Sequence, residues 1–172
     1  MRTGRIGKLV SLVLTFTFLL SVTVVAGPIE IKLGSTITTT HPHMEAARYF
    51  GELVKERTNG QVVVQVFPDG QLGREADIFE GVMMGSIQMY LVAPSMVARY
   101  YPPMGVSDMA YIWNDSARQR TVMRGAIGQE MAEGILKSTG TRVLDFSWDY
   151  GCRQITANVP ATKPDDLRGL KI

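Results

Sequence analysis

Residues 30–67 read EIKLGSTITTTHPHMEAARYFGELVKERTNGQVVVQVF, and this stretch decides the fold. It begins with the alternating polar and apolar residues of a half-buried strand, and from residue 61 it ends in a β-branched run typical of a second strand. Between the two, apolar residues recur at three- and four-residue spacing, which predicts a helix capped by Thr40 and ended by Asn59 and Gly60. A strand, a helix and a strand in this order predict a βαβ unit with parallel strands.

The same alternation continues along the rest of the chain. Asn114 or Asp115 stands where a cap for a long helix is needed. The further predicted elements are a helix between Gly73 and Gly85, a long helix at residues 116–137, and strands at residues 87–92, 141–148 and 153–159. The predicted fold class is therefore α/β, with a mostly parallel sheet flanked by helices.

Ligands of such sheets bind at the carboxyl ends of the strands. That rule points to residues 35–40, to the turn at residues 71–75 and to residues 93–95. Arg153 begins the last predicted strand, and an arginine there can hold a carboxylate through two parallel N–H bonds. An exposed strand-end cation with a salt-bridge partner fits the same spacing equally well.

The first 26 residues have the pattern of a secretory signal peptide. Arg2, Arg5 and Lys8 precede an uncharged, mostly apolar run at residues 9–25, and Ala26 ends a small-residue cleavage pattern. A signal anchor that stays in the membrane is the competing interpretation, but the hydroxyl residues within the run favour cleavage. An exported mature chain beginning at residue 27 is expected.

The charge balance and the single cysteine exclude several classes of protein. The chain has 172 residues, with 18 Lys and Arg and 16 Asp and Glu. Without the three basic residues of the leader, 15 positive charges remain against 16 negative charges. This near-neutral balance does not favour nucleic-acid binding. Cys152 alone cannot form an internal disulfide or a multi-cysteine metal site, and an inert buried thiol is favoured over a reactive one beside Arg153.

No catalytic or cofactor motif emerges from the sequence. The chain has no phosphate-binding glycine loop after a strand and no serine in a nucleophile elbow. His41 and His43 flank Pro42, but their positions at a helix start are expected to splay the rings apart. We expect no catalytic residues, no metal and no cofactor.

Three phrases carry a resemblance to a known family. Residues 66–73 read VFPDGQLG, residues 151–156 read GCRQIT, and residues 164–172 read PDDLRGLKI, with HMEAARYF at residues 43–50 before them. The phrases at residues 66–73 and 164–172 are specific when found in this order. From Ile31 to the last residue the chain is similar to the substrate-binding receptors of tripartite ATP-independent periplasmic (TRAP) transporters, the DctP type.

The resemblance implies a non-catalytic receptor with the periplasmic binding protein-like fold, of type II-like topology. Its ligand would be a small organic acid, a carboxylate or dicarboxylate, and its partners the small and large integral membrane subunits of an ion-gradient-driven transporter. It implies ligand contacts from Thr36, Glu75, Ala93, Pro94, Ser95 and Arg153. Ala93 stands where some sugar-acid receptors carry an acid, so a simple carboxylate is expected over an amino-sugar acid.

The resemblance also implies a domain organisation and leaves alternatives open. Residues 1–26 form the leader, residues 27–150 the N-terminal α/β lobe, and residues 151–172 a hinge-crossing strand with the start of a second lobe. The family is about twice this length, so the expectation is a chain truncated before most of the second lobe. A half-receptor acting only as a fragment or interaction module, and an exported enzyme using Glu75 or Cys152, are the alternative interpretations.

Overall fold

Three parallel strands form the sheet of the computed structural model, which describes residues 27–146 and 156–170. The strands are β1 (Ile29–Gly34), β2 (Val62–Phe67) and β3 (Met89–Tyr90), in the order β2-β1-β3. β1 pairs in parallel with both neighbours, and Gly34 lies opposite Phe67 on one side and Tyr90 on the other. The carboxyl ends of all three strands therefore meet at one edge.

Helix α1 (Pro42–Arg57) joins β1 to β2, and helix α2 (Glu75–Met83) lies between β2 and β3 in the chain. Leu33 packs in a buried cluster with Met44 and Ala47 of α1. A Cβ placed on the next residue, Gly34, would lie 2.8 Å from Ile78 Cγ2 of α2. Because successive strand residues face opposite sides of a sheet, the two helices cover opposite faces. The predicted arrangement of helices flanking a parallel sheet is confirmed.

The start of α1 differs by one residue from the sequence prediction. His41, rather than Thr40, is the N-cap, and its Nδ1 accepts a hydrogen bond from the His43 backbone N–H at 3.2 Å. The end is as predicted, since Asn59 and Gly60 both have positive φ, at 50° and 76°. A left-handed pair of this kind stops a helix and turns the chain toward the next strand.

β3 is shorter than the strand predicted at residues 87–92. Before it, the Lys32 backbone N–H donates to the Gln88 side-chain oxygen at 3.0 Å, so a side chain replaces the backbone ladder there. After it, Pro94 offers no N–H and begins the short helix α3 (Pro94–Val97), with a 3-10 helix at Pro102–Asp108 beyond. Neither of these two helices was predicted from the sequence.

The single helix predicted at residues 116–137 is two helices. Helix α4 (Ser116–Arg124) ends and helix α5 (Ala126–Thr139) begins at Gly125, whose backbone is extended at φ −88° and ψ −161°. The predicted cap at Asp115 is confirmed, because its carboxylate accepts from the Arg118 N–H at 2.7 Å. The apolar periodicity runs through the break, which is why the sequence pattern did not show it.

The strands predicted at residues 141–148 and 153–159 are wrong over their described parts, residues 141–146 and 156–159. Gly140, at φ 71°, turns the chain out of α5, and Asp145 then forms an ion pair with Arg124 of α4 at 3.6 Å. Val143 packs against the larger core cluster beside these helices. The segment is therefore held by α4 and the core, and not by a strand ladder. A second 3-10 helix spans Pro164–Leu167.

Some sequence predictions lie outside the described residues. These are the leader at residues 1–26, the segment at residues 147–155 with Cys152 and Arg153, and the last two residues. Among the helices that are described, none has the length and apolar character needed to cross a bilayer.

The junction between α4 and α5 depends on a residue without a side chain. Gly128 is buried, and a Cβ placed on it would overlap the Met123 carbonyl of α4. Alanine is favoured over glycine inside a helix by about 1 kcal/mol, but forced overlap in a packed interior costs about 1–3 kcal/mol. At this position the overlap is with backbone and cannot be relieved by a rotamer change.

We expect Gly128→Ala to lower the free energy of unfolding by about 1–2 kcal/mol, against the helix preference. Urea unfolding followed by circular dichroism measures it. Gly105→Ala is the matched control, since its Cβ would meet only the Ala98 Cβ at 3.7 Å. A Gly128→Ala variant as stable as the parent protein would contradict this account of the junction.

Candidate functional site

The carboxyl ends of the strands are joined by a buried serine. Ser35 follows β1 directly, and its side chain is fully buried. Its Oγ accepts from the Ile37 N–H at 3.2 Å and donates to the Leu91 carbonyl at 3.5 Å, while its own N–H donates to the Phe67 carbonyl at 2.9 Å. One residue thus links the end of β1 with the segments that leave β2 and β3.

The loop at residues 35–40 is held on its other side by Asp69. Asp69 Oδ1 accepts from the Thr39 N–H at 3.2 Å, and the Asp69 N–H donates to the Ile37 carbonyl at 2.9 Å. Asp69 has φ 54°, and Gly70 beside it has φ 69° and donates to the Ser35 carbonyl at 3.0 Å. Three hydrogen bonds therefore join the turn after β2 to the loop after β1.

Arg48 of α1 adds a third attachment to this loop. Its guanidinium donates to the Thr39 carbonyl at 3.3 and 3.4 Å and to the Thr39 hydroxyl. Spacing and residue type could not show which loop the Arg48 side chain would reach. They also could not show that Ser35, the first residue of the predicted stretch 35–40, would be buried as a link between strand ends. Both residues fix the loop on which the predicted ligand contact Thr36 stands.

Thr36 and Glu75 were predicted at separate strand ends, and the structure brings them together. The Thr36 Oγ1 donates to Glu75 Oε1 at 3.4 Å, across the gap between the loop after β1 and the start of α2. Thr36 is half-buried and Glu75 is exposed. The Thr36 hydroxyl and the Glu75 carboxylate therefore form a hydrogen-bonded pair on the solvent side of the strand-end edge.

Glu75 is positioned by the turn that begins α2. Asp77 accepts from the Arg74 backbone N–H at 3.0 Å and from Arg74 Nε at 3.1 Å, which closes the first turn of the helix. Hydrogen bonds from the Arg74 side chain, and then from its backbone N–H, lower the pKa of Asp77. The same carboxylate raises the pKa of Arg74. The side chains of Arg74 and Asp77, which lie before and after Glu75 in the chain, are thus bonded to each other.

Residues 93–95, also predicted as ligand contacts, follow β3 at the same edge. The Leu91 N–H donates to the Gly34 carbonyl at 3.1 Å, so the chain is still attached to β1 two residues before Ala93. Ala93 is the N-cap of α3, Pro94 is its first residue and Ser95 is exposed. Arg153, the remaining predicted contact, lies outside the described residues.

A cavity of about 690 Å³ lies beside β3. Its walls include core side chains such as Phe79, Met104 and Met123, together with residues 140–146. Of the predicted ligand contacts, Pro94 lines the cavity, and Thr36 and Glu75 do not. An apolar space of this kind belongs to the packing of β3 against α4 and α5. We place the candidate ligand site at the polar strand-end edge, beside this cavity, because ligands of parallel sheets bind at the carboxyl ends of the strands.

The histidine pair differs from expectation. The rings of His41 and His43 lie with centroids 4.7 Å apart and planes tilted by 56°, so they touch instead of splaying. Within residues 27–146 and 156–170, no three His, Cys, Asp or Glu side chains gather in a way that could hold a metal ion.

Comparison with known proteins identifies the class. Residues 33–172 match the family model described as "Bacterial extracellular solute-binding protein, family 7". The C4-dicarboxylate-binding periplasmic protein DctP of Rhodobacter capsulatus is 36% identical over 158 residues, covering 89% of this chain and 46% of that protein. The 2,3-diketo-L-gulonate-binding periplasmic protein of Escherichia coli is 31% identical, covering 83% of this chain and 43% of that protein.

Solved structures give the same answer for the fold. A TRAP periplasmic solute-binding protein from Rhodobacter sphaeroides, in an open form without ligand, aligns with a TM-score of 0.72 and 31% identity, covering 83% of this chain and 46% of that one. One from Roseobacter denitrificans with bound L-galactonate aligns with a TM-score of 0.64 and 26% identity, covering 67% of this chain and 38% of that one.

The parallel sheet and these matches place the chain among the solute-binding proteins of the TRAP type. More narrowly, the chain belongs to the DctP family, family 7 of the bacterial extracellular solute-binding proteins. It spans 46% and 43% of the lengths of the two curated relatives above.

The buried serine yields a stability prediction. Ser35→Ala leaves the Ile37 N–H and the Leu91 carbonyl without their side-chain partner in a buried setting. We expect the free energy of unfolding to fall by about 1–2 kcal/mol, measured by urea titration. Ser138→Ala, which removes an exposed hydroxyl bonded only to the Gly134 carbonyl, is the control and is expected to change little. Equal effects of the two substitutions would refute the linking role of Ser35.

The Arg74–Asp77 contact yields a prediction about pH. Because the pKa of Asp77 is lowered in the folded protein, the stabilisation it gives α2 is complete above the ordinary pKa of an aspartate. It is lost as the pH falls through the lowered value. Carbon-13 NMR titration should place the Asp77 midpoint below the ordinary pKa of an aspartate side chain. Arg74→Ala should move the Asp77 midpoint upward, and an unmoved midpoint would contradict the contact.

Proposed function

We propose that this chain is the ligand-capturing part of a TRAP transporter receptor that works in the periplasm and binds a small organic acid. The observation that carries the proposal is the strand-end edge, where the Thr36 hydroxyl meets the Glu75 carboxylate. Ser35, Asp69 and Arg48 hold the loop of Thr36, and the Arg74–Asp77 contact holds the turn of Glu75. Membership of the DctP family supports the class of ligand, since the relatives' names refer to dicarboxylates and sugar acids.

The proposed ligand contacts are those expected from the resemblance. Thr36 and Glu75 form one side of the site, and residues 93–95 continue it along the same edge. Arg153 is proposed to hold the ligand carboxylate through paired N–H bonds, which would supply most of the charge-assisted binding energy. The protein binds its ligand without chemical conversion.

The proposed partners are the small and large integral membrane subunits of the transporter. The receptor would reach the periplasm through a cleaved signal peptide at residues 1–26 and deliver the acid for uptake driven by an ion gradient. This assignment rests on the family, whose solved members include periplasmic receptors with bound succinate and L-galactonate.

A panel of organic acids tests the proposal in the protein expressed at the full length of its gene. Isothermal titration calorimetry should show saturable binding of at least one acid, and the acid should be recovered unchanged after incubation. Absence of heat with every acid, or appearance of a reaction product, would contradict a receptor role.

Arg153→Ala tests the proposed carboxylate contact. We expect the acid found in the panel to bind more weakly by about 1.5–3 kcal/mol, as for loss of a hydrogen bond to a charged group. Arg57→Ala is the matched control, because Arg57 lies in the last turn of α1, at the end of the helix away from the strand-end edge. If the two variants bind the acid equally well, Arg153 does not hold the carboxylate.

A further inference from the structure

β2 is an edge strand, and no strand of the described sheet lies on its outer side. It pairs with β1 only, and each of its side chains is half-buried or exposed. β3, the other edge strand, has two residues, whereas β2 has six. An unpaired strand edge offers a row of N–H and carbonyl groups to another strand. β2 is therefore the longer of the two edges at which a further strand could bind.

β2 lacks the features that usually protect an edge strand from pairing with another chain. Natural edge strands carry charged side chains, a proline or a bulge. Residues 62–67 read VVVQVF, without charge or proline, and they pair one-to-one with β1 without a bulge. β-branched and aromatic residues favour strand pairing. The sequence of β2 thus favours a further strand on its outer side.

Alternate residues of β2 direct their backbone groups away from β1. The carbonyls of Gln61 and Phe67 accept from the N–H groups of Ile29 and Ser35, so the odd-numbered residues of this strand face β1. Because the direction of the backbone groups alternates along a strand, the even-numbered residues face outward. These are residues 62, 64 and 66.

Two of the three outward-facing residues have backbone groups without a partner. Val62 is engaged, since its N–H donates to Thr58 Oγ1 at 3.1 Å and its carbonyl lies 3.4 Å from the same hydroxyl. Among the described residues, nothing forms a hydrogen bond with the outward N–H and carbonyl groups of Val64 and Val66. The edge therefore offers two donors and two acceptors.

One antiparallel register with a second copy of β2 gives all four groups a partner. In this register Gln65 lies opposite Gln65 of the second copy, so Val64 lies opposite Val66 of that copy and Val66 lies opposite its Val64. Each such pair exchanges two N–H···O bonds in an antiparallel ladder. The four groups of each copy are then all bonded.

The neighbouring registers leave some of these groups without a partner. Pairing centred on Val64 places Val66 opposite Val62, which is already bonded to Thr58. Pairing centred on Val66 places the Val64 carbonyl opposite Pro68, which has no N–H to donate. The register centred on Gln65 is thus the one that the backbone favours.

The side chains also match in the register centred on Gln65. Val64 and Val66 pack on the α1 side of the sheet, so Gln65 lies on the opposite face. There it meets Gln65 of the second copy, an uncharged pair whose amides can bond to each other. On the same face Val63 lies opposite Phe67 of the second copy, and such β-branched and aromatic pairs stabilise a sheet.

We propose that two copies of this protein associate through their β2 strands, paired antiparallel about a two-fold axis at Gln65. The three described strands of each copy then form one continuous sheet. The strands of the two copies run in opposite directions, so their carboxyl-end edges point apart and both candidate ligand sites stay open. A contact of one strand per copy is small, so the dimer is weak and reversible. This goes beyond the proposed function and does not depend on it.

Cysteine cross-linking of the full-length protein tests the register, with Cys152→Ser in every variant. Gln65→Cys places two thiols at a non-hydrogen-bonded pair, whose Cα atoms are about 4.5 Å apart and within reach of a disulfide. Lys32→Cys is the matched control, because Lys32 is exposed and lies beside Gln65 on β1. Its Cα would be about 14 Å from that of its copy, too far for a disulfide. Under mild copper oxidation, Gln65→Cys should form the linked dimer about tenfold faster than this control.

Charges placed at position 65 test the pairing without oxidation. Gln65→Glu and Gln65→Lys each oppose like charges at the two-fold axis. Sedimentation equilibrium at low salt should show a dimer dissociation constant about tenfold higher for each variant alone than for the parent protein. An equimolar mixture of the two variants opposes unlike charges, so dimers should form again. Recovery on mixing excludes unfolding as the cause of the loss.

Several results would overturn the proposal. One is a parent protein that stays monomeric at the highest concentration reached, and another is Gln65→Cys cross-linking no faster than Lys32→Cys. Charge variants that dimerise as the parent does, or that do not recover on mixing, would place the contact elsewhere. Acid binding is measured separately by calorimetry on the same variants, so failure of the dimer leaves the receptor role intact.

Discussion

Parallel pairing of β1 with both neighbours is the constraint on which the rest of the structure depends. It places Gly34 opposite Phe67 and Tyr90 in one register, so three chain segments leave the sheet side by side. Each segment would otherwise end with backbone N–H and carbonyl groups facing a partly buried gap. Ser35 and Asp69 supply the missing partners, and the candidate site is built on the loops that they hold.

The elements that could be predicted from the sequence are those whose pattern and punctuation are local. β1, α1, β2 and α2 each have a clear period and a clear end, as at Asn59 and Gly60. The break at Gly125 escaped prediction because the apolar spacing is continuous across it, and the close approach of Gly128 to the Met123 carbonyl is seen only in the folded chain. The strand predicted at residues 141–148 is wrong over its described part for a related reason, since Val143 packs against the core cluster and Asp145 pairs with Arg124 of α4.

The candidate site, like the fold, could be predicted from the sequence only in part. The rule that ligands bind at strand ends predicted this edge, and Thr36 and Glu75, which 39 positions separate, are in contact there. The supporting residues were not found, because nothing in the local sequence connects Arg48 on a helix with Thr39 in a loop. The affinity of such a site depends on these supports as much as on the groups that face the ligand, since they set where Thr36 stands.

The loop after β1 has a consequence for how this protein can change over evolutionary time. Its odd-numbered residues Ser35, Ile37 and Thr39 are each hydrogen-bonded to neighbouring segments, so the backbone is attached at every second position. An inserted or deleted residue would shift that alternation and break several bonds at once. New ligand preferences can therefore arise here through exchange of the even-numbered side chains, at constant loop length, and divergent copies of the gene should preserve the number of residues between Gly34 and Pro42.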